Sequence, residues 1–241
     1  MSLLVVAMHR VLPQLTLSDL RSPSLREALR RDLSIDYYWS DDFSPQFYAE
    51  QARAGMIAIT ERLQEKEILL CEMQRSYALL SPAQIHVGRH VRRLLRRDQP
   101  TLHVGMQLET VQSLLDRYHR DNWLTPRYVR ILRALNQTSS GVIAVSVLVR
   151  HNAHIISGEM GYIIGSTYTS LSGFSSRQKR YRHYGKVQLV LLGRWLEQRG
   201  LHLWNLGQPY MPYKFELGAR EYVRSDFLRL WDRAIASNLP G

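Results

Sequence analysis

The spacing of apolar positions changes near residue 142, and the change separates two sets of predicted elements. Before it the spacing is mostly helical. Residues 24–32 read as a short capped helix, and Ser44 before Pro45 reads as an N-cap with proline at the first helical position. That helix runs through Ala54 and stops at Gly55. Residues 68–80 predict a pair of strands. In residues 88–97, Val91, Leu94 and Leu95 form one stripe, with Arg89, Arg92, Arg93, Arg96 and Arg97 opposite, which predicts an amphipathic helix. Residues 107–121 predict another, and Thr125 with Pro126 starts a further one through Leu135. Residues 136–141 are the most linker-like stretch, too short to require a domain break.

Beyond 142 the period becomes two. Residues 142–149 predict a buried strand that turns at His151 and Asn152 into residues 154–164. A second turn at Gly165 and Ser166 leads into residues 167–174, giving a three-stranded antiparallel meander. Residues 185–198 carry Val187, Leu189, Val190, Leu191, Leu192, Trp195 and Leu196, a nearly all-apolar helix that must lie between the sheet and other elements. Gly200 ends it, and residues 201–206 return as a strand. This order of parts resembles the core of the GCN5-related (GNAT) acyltransferases. It predicts an α+β or α/β fold: a small N-terminal α+β domain over residues 1–65, then a GNAT-like domain over 66–241 with a mainly antiparallel sheet and a packed central helix.

Composition narrows the setting. The chain has 241 residues, 45% of them hydrophobic, enough for a proper core. The single cysteine, Cys71, excludes an internal disulfide framework and a cysteine zinc cluster, so a reducing, cytoplasmic setting is expected, with no metal or cofactor. The apolar opening at residues 3–7 lacks the charged lead-in and length of a signal segment. No run approaches the roughly 18 apolar residues of a membrane span, so a soluble, unprocessed protein with no membrane partner is expected. The 32 Lys and Arg residues against 21 Asp and Glu give a formal charge of +11, with arginine the commoner cation. Such an excess favours a polyanion, and arginine can grip phosphate bidentately or stack on bases. The alternative is a basic protein with solvated charges.

Several ordered motifs then resemble the leucyl/phenylalanyl-tRNA protein transferase family. Asp42, Phe43, Ser44 and Pro45, with residues 52–57, are similar to its D-L-S-P and A-Y-x-x-G-I-F segment. Residues 68–80, then Ile85, His86 and the arginine-rich helix, are similar to its I-L-W-W-S-P-D-P-R-A-V-L region and basic helix. Residues 122–125 resemble T-W-I-T, while the strands from 142 to 176, the helix opening at Lys186, and Leu217, Gly218 and Ala219 follow the remaining landmarks. The resemblance implies transfer of an amino acid, apolar and Leu/Phe-like, from aminoacyl-tRNA to the N-terminal amine of an acceptor protein or peptide, with no DNA partner.

Against that family's motifs the chain also departs. Residues 170–175 stand at the family's G-E-S-M-F-S motif without its carboxylate, and Asn205 replaces the aspartate of D-C-Q, with Gln208 displaced by one. Leu70 and Cys71 stand near the missing tryptophans of W-W-S-P. A site without those acids is chemically sufficient, because the ester is already activated and positioning with oxyanion stabilisation supplies most of the acceleration. Asn205 and Gln208 are therefore the candidate catalytic amides, able to orient an amine or donate to an oxyanion. Asn205 as a strand-end residue satisfying backbone groups is the alternative. His183 and His202 are the nearby groups with suitable ordinary pKa values.

By resemblance, Tyr168, Leu171, Leu192, Leu196 and Trp204 fall where the family lines its aminoacyl pocket; simple core is the other reading. Contacts to tRNA are expected from Arg89, Arg92, Arg93, Arg96 and Arg97, from Arg177, Lys179, Arg180, Arg182 and Lys186, and from Lys214. Trp123 and Tyr213 are candidates to stack on the terminal adenine. The tract 211–214 also resembles the Y-K loop of arginyl-tRNA protein transferases. Two other classes stay open: a CoA-dependent N-acyltransferase, because residues 182–187 resemble a pyrophosphate loop at a helix N-terminus, and a non-catalytic tRNA-binding protein on the same scaffold.

Overall fold

The computed structural model describes residues 12–63 and 65–237; the apolar opening at residues 3–7 lies outside them. The first part of the chain forms α1 (Leu17–Arg21), α2 (Pro23–Arg31), β1 (Tyr37–Ser40), α3 (Pro45–Arg53), β2 (Ile57–Leu63) and β3 (Lys66–Glu72). Local chemistry sets the helix starts. Thr16 and Asp19 form a reciprocal capping box, and Ser44 Oγ accepts from the Phe47 amide at 3.1 Å ahead of Pro45.

A larger sheet follows from β4 (Ser76–Leu80), β5 (Thr101–Gly105), β6 (Val142–His151), β7 (His154–Ile164), β8 (Thr167–Ser175), β9 (Leu203–Asn205) and β10 (Arg220–Val223). The helices between them are α4 (Arg89–Asp98), α5 (Leu108–Tyr118), α6 (Pro126–Leu135), α7 (Tyr184–Gln198), α8 (Pro212–Glu216) and, after β10, α9 (Arg224–Ile235). The seven strands lie in the order β10-β4-β9-β8-β7-β6-β5, antiparallel except for β8 with β9. The predicted meander is thus present as β6, β7 and β8.

Residues 68–80 do supply two strands, but they do not pair with each other. β3 joins β1 and β2 in a three-stranded sheet, whereas β4 lies between β9 and β10 in the large one. The expected boundary at 65/66 falls in the turn joining β2 to β3, within the small sheet. The crossover between the sheets is fixed by Arg224, 2% exposed, whose guanidinium donates to the carbonyls of Gln74, Met73 and Asp32 and pairs with Asp36 at 2.9 Å. An arginine buried this deeply is tolerable because its N–H groups have partners.

Both faces of the large sheet are covered. On one, Met160, Tyr162 and Ile164 pack in a core that continues through α3, α5, α6 and α9 to Tyr38, Leu69 and Cys71 of the small sheet. Tyr48 and Tyr128 meet edge-on inside it, their hydroxyls 2.7 Å apart. On the other face, Val147, Ile163 and Tyr168 pack against Val187, Val190 and Leu192 of α7 and against Val91 and Leu94 of α4. The apolar run of α7 follows: sheet lies beneath it and α4 beside it.

Candidate active site

The parallel pairing in the large sheet creates an opening. β8 and β9 run together only from Thr167 with Leu203 to Thr169 with Asn205. Beyond that pair β8 continues to Ser175, while the chain after β9 turns at Gly207, whose φ of +72° is the left-handed conformation open to glycine. Asn205 Oδ1 accepts the Gly207 amide at 2.9 Å and holds this turn. The resulting wedge is a cavity of about 660 Å³, with Ser170, Leu171 and Ser172 on one side and Leu206, Met211, Tyr213 and Lys214 on the other.

Its floor carries a carboxylate that sequence reasoning missed. Glu159, on β7, lines the cavity although only 3% exposed. Oε1 accepts from the Tyr168 hydroxyl at 2.8 Å and the Ser170 hydroxyl at 2.7 Å, and Oε2 accepts from Gln188 Nε2 of α7 at 2.7 Å. Trp204 Nε1 donates to Ser170 Oγ at 2.9 Å, extending the chain of bonds. Burial raises the carboxyl group to about 7, overriding the hydrogen bonds from Ser170, Tyr168 and Gln188 that favour the anion. The cavity, unlike the expected site, thus holds an acid. The 170–175 stretch has none, but Glu159 enters from the neighbouring strand, where it hydrogen-bonds to Ser170, next to Leu171. Residues 159 and 170 lie eleven apart in sequence, and only the β7–β8 register unites them. The one sequence signal was an acidic residue inside an otherwise buried strand.

Lys214 is the second ionisable group on the wall. At 5% exposure, its ammonium donates to the carbonyls of Leu206 at 2.5 Å and Gln208 at 2.6 Å, and burial lowers it to about 8. Tyr213 beside it is raised to about 12 by burial and by the Glu159 charge. At the rim, His183 caps α7 with φ +73° and meets His90 of α4 edge-on, ring centres 4.7 Å apart. Burial, and then His90, Arg182 and Lys186, hold His183 below its ordinary value.

The predicted residues divide accordingly. Leu171 lines the cavity as the extra residue of a β8 bulge, since Met160 pairs with Ser172 and Gly161 with Ser170. Tyr168, Leu192, Leu196 and Trp204 are fully buried and absent from its lining; Tyr168 and Trp204 instead act from beneath through hydrogen bonds. Neither predicted amide lines it. Asn205 is buried in its turn, and Gln208 donates to Glu72 Oε1 at 2.7 Å, in a cluster with Tyr37 and Gln74.

Among the expected tRNA contacts, Trp123, Lys186 and Tyr213 line the cavity, and Trp123 also borders a second groove beside Glu67 and Thr125. Lys214 is buried on the wall, away from the exposed positions that suit a phosphate backbone. Arg89, Arg92, Arg93, Arg96 and Arg97 are carried on α4 around its inward-turned apolar stripe, and all five are exposed. Arg177, Lys179, Arg180 and Arg182 belong to the loop before α7; Arg177 donates to the Tyr118 carbonyl, and Lys186 pairs with Glu216. His202 is exposed and does not line the cavity. Among the described residues, no helix is long and apolar enough to cross a membrane.

Comparison with known proteins adds a family. Residues 79–232 match the family model described as leucyl/phenylalanyl-tRNA protein transferase. A leucyl/phenylalanyl-tRNA–protein transferase of Tolumonas auensis is 27% identical over 154 residues, covering 63% of this chain and 62% of that protein. One from Pseudomonas putida is 26% identical over 220 residues, covering 90% of this chain and 92% of the other. The match to the first of these thus spans about three fifths of the relative's length. Among solved structures, FemX is similar with a TM-score of 0.50 and 11% identity, covering 90% of this chain and 80% of that one. That likeness concerns the fold alone, and it agrees with the expected GNAT-like arrangement of a mainly antiparallel sheet with a central helix.

Proposed function

The chain belongs to the leucyl/phenylalanyl-tRNA protein transferase family, and on that premise we propose that it transfers an aminoacyl group from charged tRNA to the N-terminal amine of a protein or peptide. The observation that carries this reading is the buried carboxyl group of Glu159 on the floor of the wedge, raised by its surroundings to about 7. A base acts best when its pKa lies near the working pH, and an attacking amine must lose a proton as its nitrogen bonds to the ester carbon. Oε2 of Glu159 has one protein donor among the described residues, Gln188, and so retains capacity to accept from an amine.

The apolar lining supports an apolar aminoacyl donor. Leu171, Phe174, Leu189, Leu206 and Met211 surround the wedge with Trp123 and Tyr213. The tRNA body then runs over the exposed arginines of α4 and the basic loop before α7, and the two meet at the His90–His183 contact. The test is transfer of labelled amino acids from total charged tRNA to a peptide, read by mass spectrometry, with acyl-CoA as the rival donor. Transfer from phenylalanyl- or leucyl-tRNA that falls by about 100-fold or more in Glu159→Gln is expected. Use of acyl-CoA alone, or no transfer from any charged tRNA by folded protein, overturns the proposal.

A further inference from the structure

We infer that the ammonium of Lys214 stabilises the oxyanion formed when an amine attacks the aminoacyl ester in the wedge, an inference resting on the reaction proposed above. An ammonium has three N–H donors. The structure uses two of them, on the carbonyls of Leu206 and Gln208, and both partners are neutral. Lys214 makes no ion pair among the described residues, while Lys186 on the same cavity is paired with Glu216. The protein therefore keeps one unneutralised cation at 5% exposure beside the cavity. Burying a charge is costly unless something repays it. Negative charge developing in the cavity during reaction would do so.

The surrounding loop holds the group in place. The turn at Gly207, fixed by Asn205, presents the Leu206 carbonyl, and the Gln208 side chain is anchored on Glu72 while the Gln208 main-chain carbonyl meets Nζ. The predicted amides thus contribute by positioning Lys214 rather than by touching the reacting atoms. Preorganised donors of this kind need no rearrangement at the moment of reaction, which is where their effect on rate originates.

The step balances. The amine nitrogen gives its lone pair to the ester carbon, the carbonyl π pair moves onto oxygen, and Lys214 holds that oxyanion. Glu159 takes one proton from the nitrogen. Collapse restores the carbonyl, breaks the bond to the ribose oxygen, and returns the proton to that oxygen, leaving an amide and uncharged tRNA.

Two stable analogues separate this role from a structural one. A phosphonate isostere of phenylalanyl-adenosine carries a tetrahedral anionic centre, and the corresponding 3′-amide carries a planar neutral carbonyl. In Lys214→Met the phosphonate is expected to bind about 100-fold more weakly, with amide affinity changed less than about threefold. Peptide aminoacylation should fall by a similar factor in kcat, with the KM for charged tRNA unchanged. Lys214→Gln, which keeps an N–H donor for the loop, replaces Lys214→Met if that variant folds poorly. Equal weakening of both analogues, or no weakening of either, overturns the oxyanion role. An unaltered protein that binds neither analogue and transfers nothing overturns the proposed function itself.

Discussion

The Tyr168 hydroxyl crosses over Gly161 to donate to Glu159 Oε1 at 2.8 Å. A Cβ at residue 161 would lie 2.3 Å from that hydroxyl and 2.5 Å from the Thr169 carbonyl, so the close approach requires glycine there. Gly161→Ala is expected to lower stability by about 1–3 kcal/mol, the usual cost of overpacking, and to displace Tyr168. Tyr168→Phe leaves the space open and removes only the hydrogen bond. The Glu159 carboxyl group should then titrate higher than in the unaltered protein, because the anion has one donor fewer. Thermal melts and the pH dependence of transfer in the two variants check both statements.

Glu159 sets a pH dependence of stability whose sign is fixed. Its folded value of about 7 lies above the ordinary 4.5, so between these values the folded chain holds a proton that the unfolded chain has released. Stability contributed by this group is therefore present at acid pH, falls as pH rises through that window, and is level above it. Denaturant melts from pH 4 to 8 should show this slope in the unaltered protein and its disappearance in Glu159→Gln. Transfer should follow the opposite course, rising through about pH 7 as the base is freed, with Tyr168 bonded to Glu159 and Tyr213, His183 and Lys186 lining the same cavity.

Lys214 bounds activity from the other side. Protonated below about 8, it can hold an oxyanion there and loses that capacity as pH rises further. Transfer by the unaltered protein should therefore peak between the two groups, and single-turnover rates across pH 6 to 9 should lack the alkaline fall in Lys214→Met.

On the proposed reading, the arginine face of α4 binds tRNA by charge. Neutralising Arg92, Arg93 and Arg96 should weaken tRNA binding and reduce the dependence of log affinity on log salt by about 0.7 to 0.9 for each phosphate no longer neutralised. Alanine at Arg177, Lys179 and Arg180 should act in the same direction if the two surfaces form one track. Binding titrations at several salt concentrations measure both, and unchanged slopes in both variants would remove the electrostatic reading.

Asn205 is the remaining test of structure against chemistry. Its Oδ1 is engaged with the Gly207 amide, so Asn205→Ala should cost about 1–3 kcal/mol through the unsatisfied turn. Asn205→Asp keeps the acceptor oxygen and should melt closer to the unaltered protein. If Asn205 touched the reacting atoms, the rate per folded Asn205→Ala molecule would instead collapse while Lys214 remained in place.

Local pattern determined much of this protein by itself. The period-two run after 142, the glycine- and asparagine-bearing turns and the apolar stretch of α7 specified a meander with a helix across it. The stripe of Val91, Leu94 and Leu95 specified which face of α4 carries its arginines. Such features are legible because neighbours in sequence are neighbours on the same helix or strand. The site required more. Whether β3 and β4 pair or part, where β8 and β9 separate, and which carboxylate lies beside Ser170 are decided by contacts between distant segments. Glu159 reads in sequence as one acidic residue in a strand, and Lys214 as one more cation among 32 Lys and Arg residues. Only tertiary packing takes both out of water and sets them on one cavity, and that burial, which no local pattern encodes, moves their proton affinities toward the range where acyl transfer to an amine can use them.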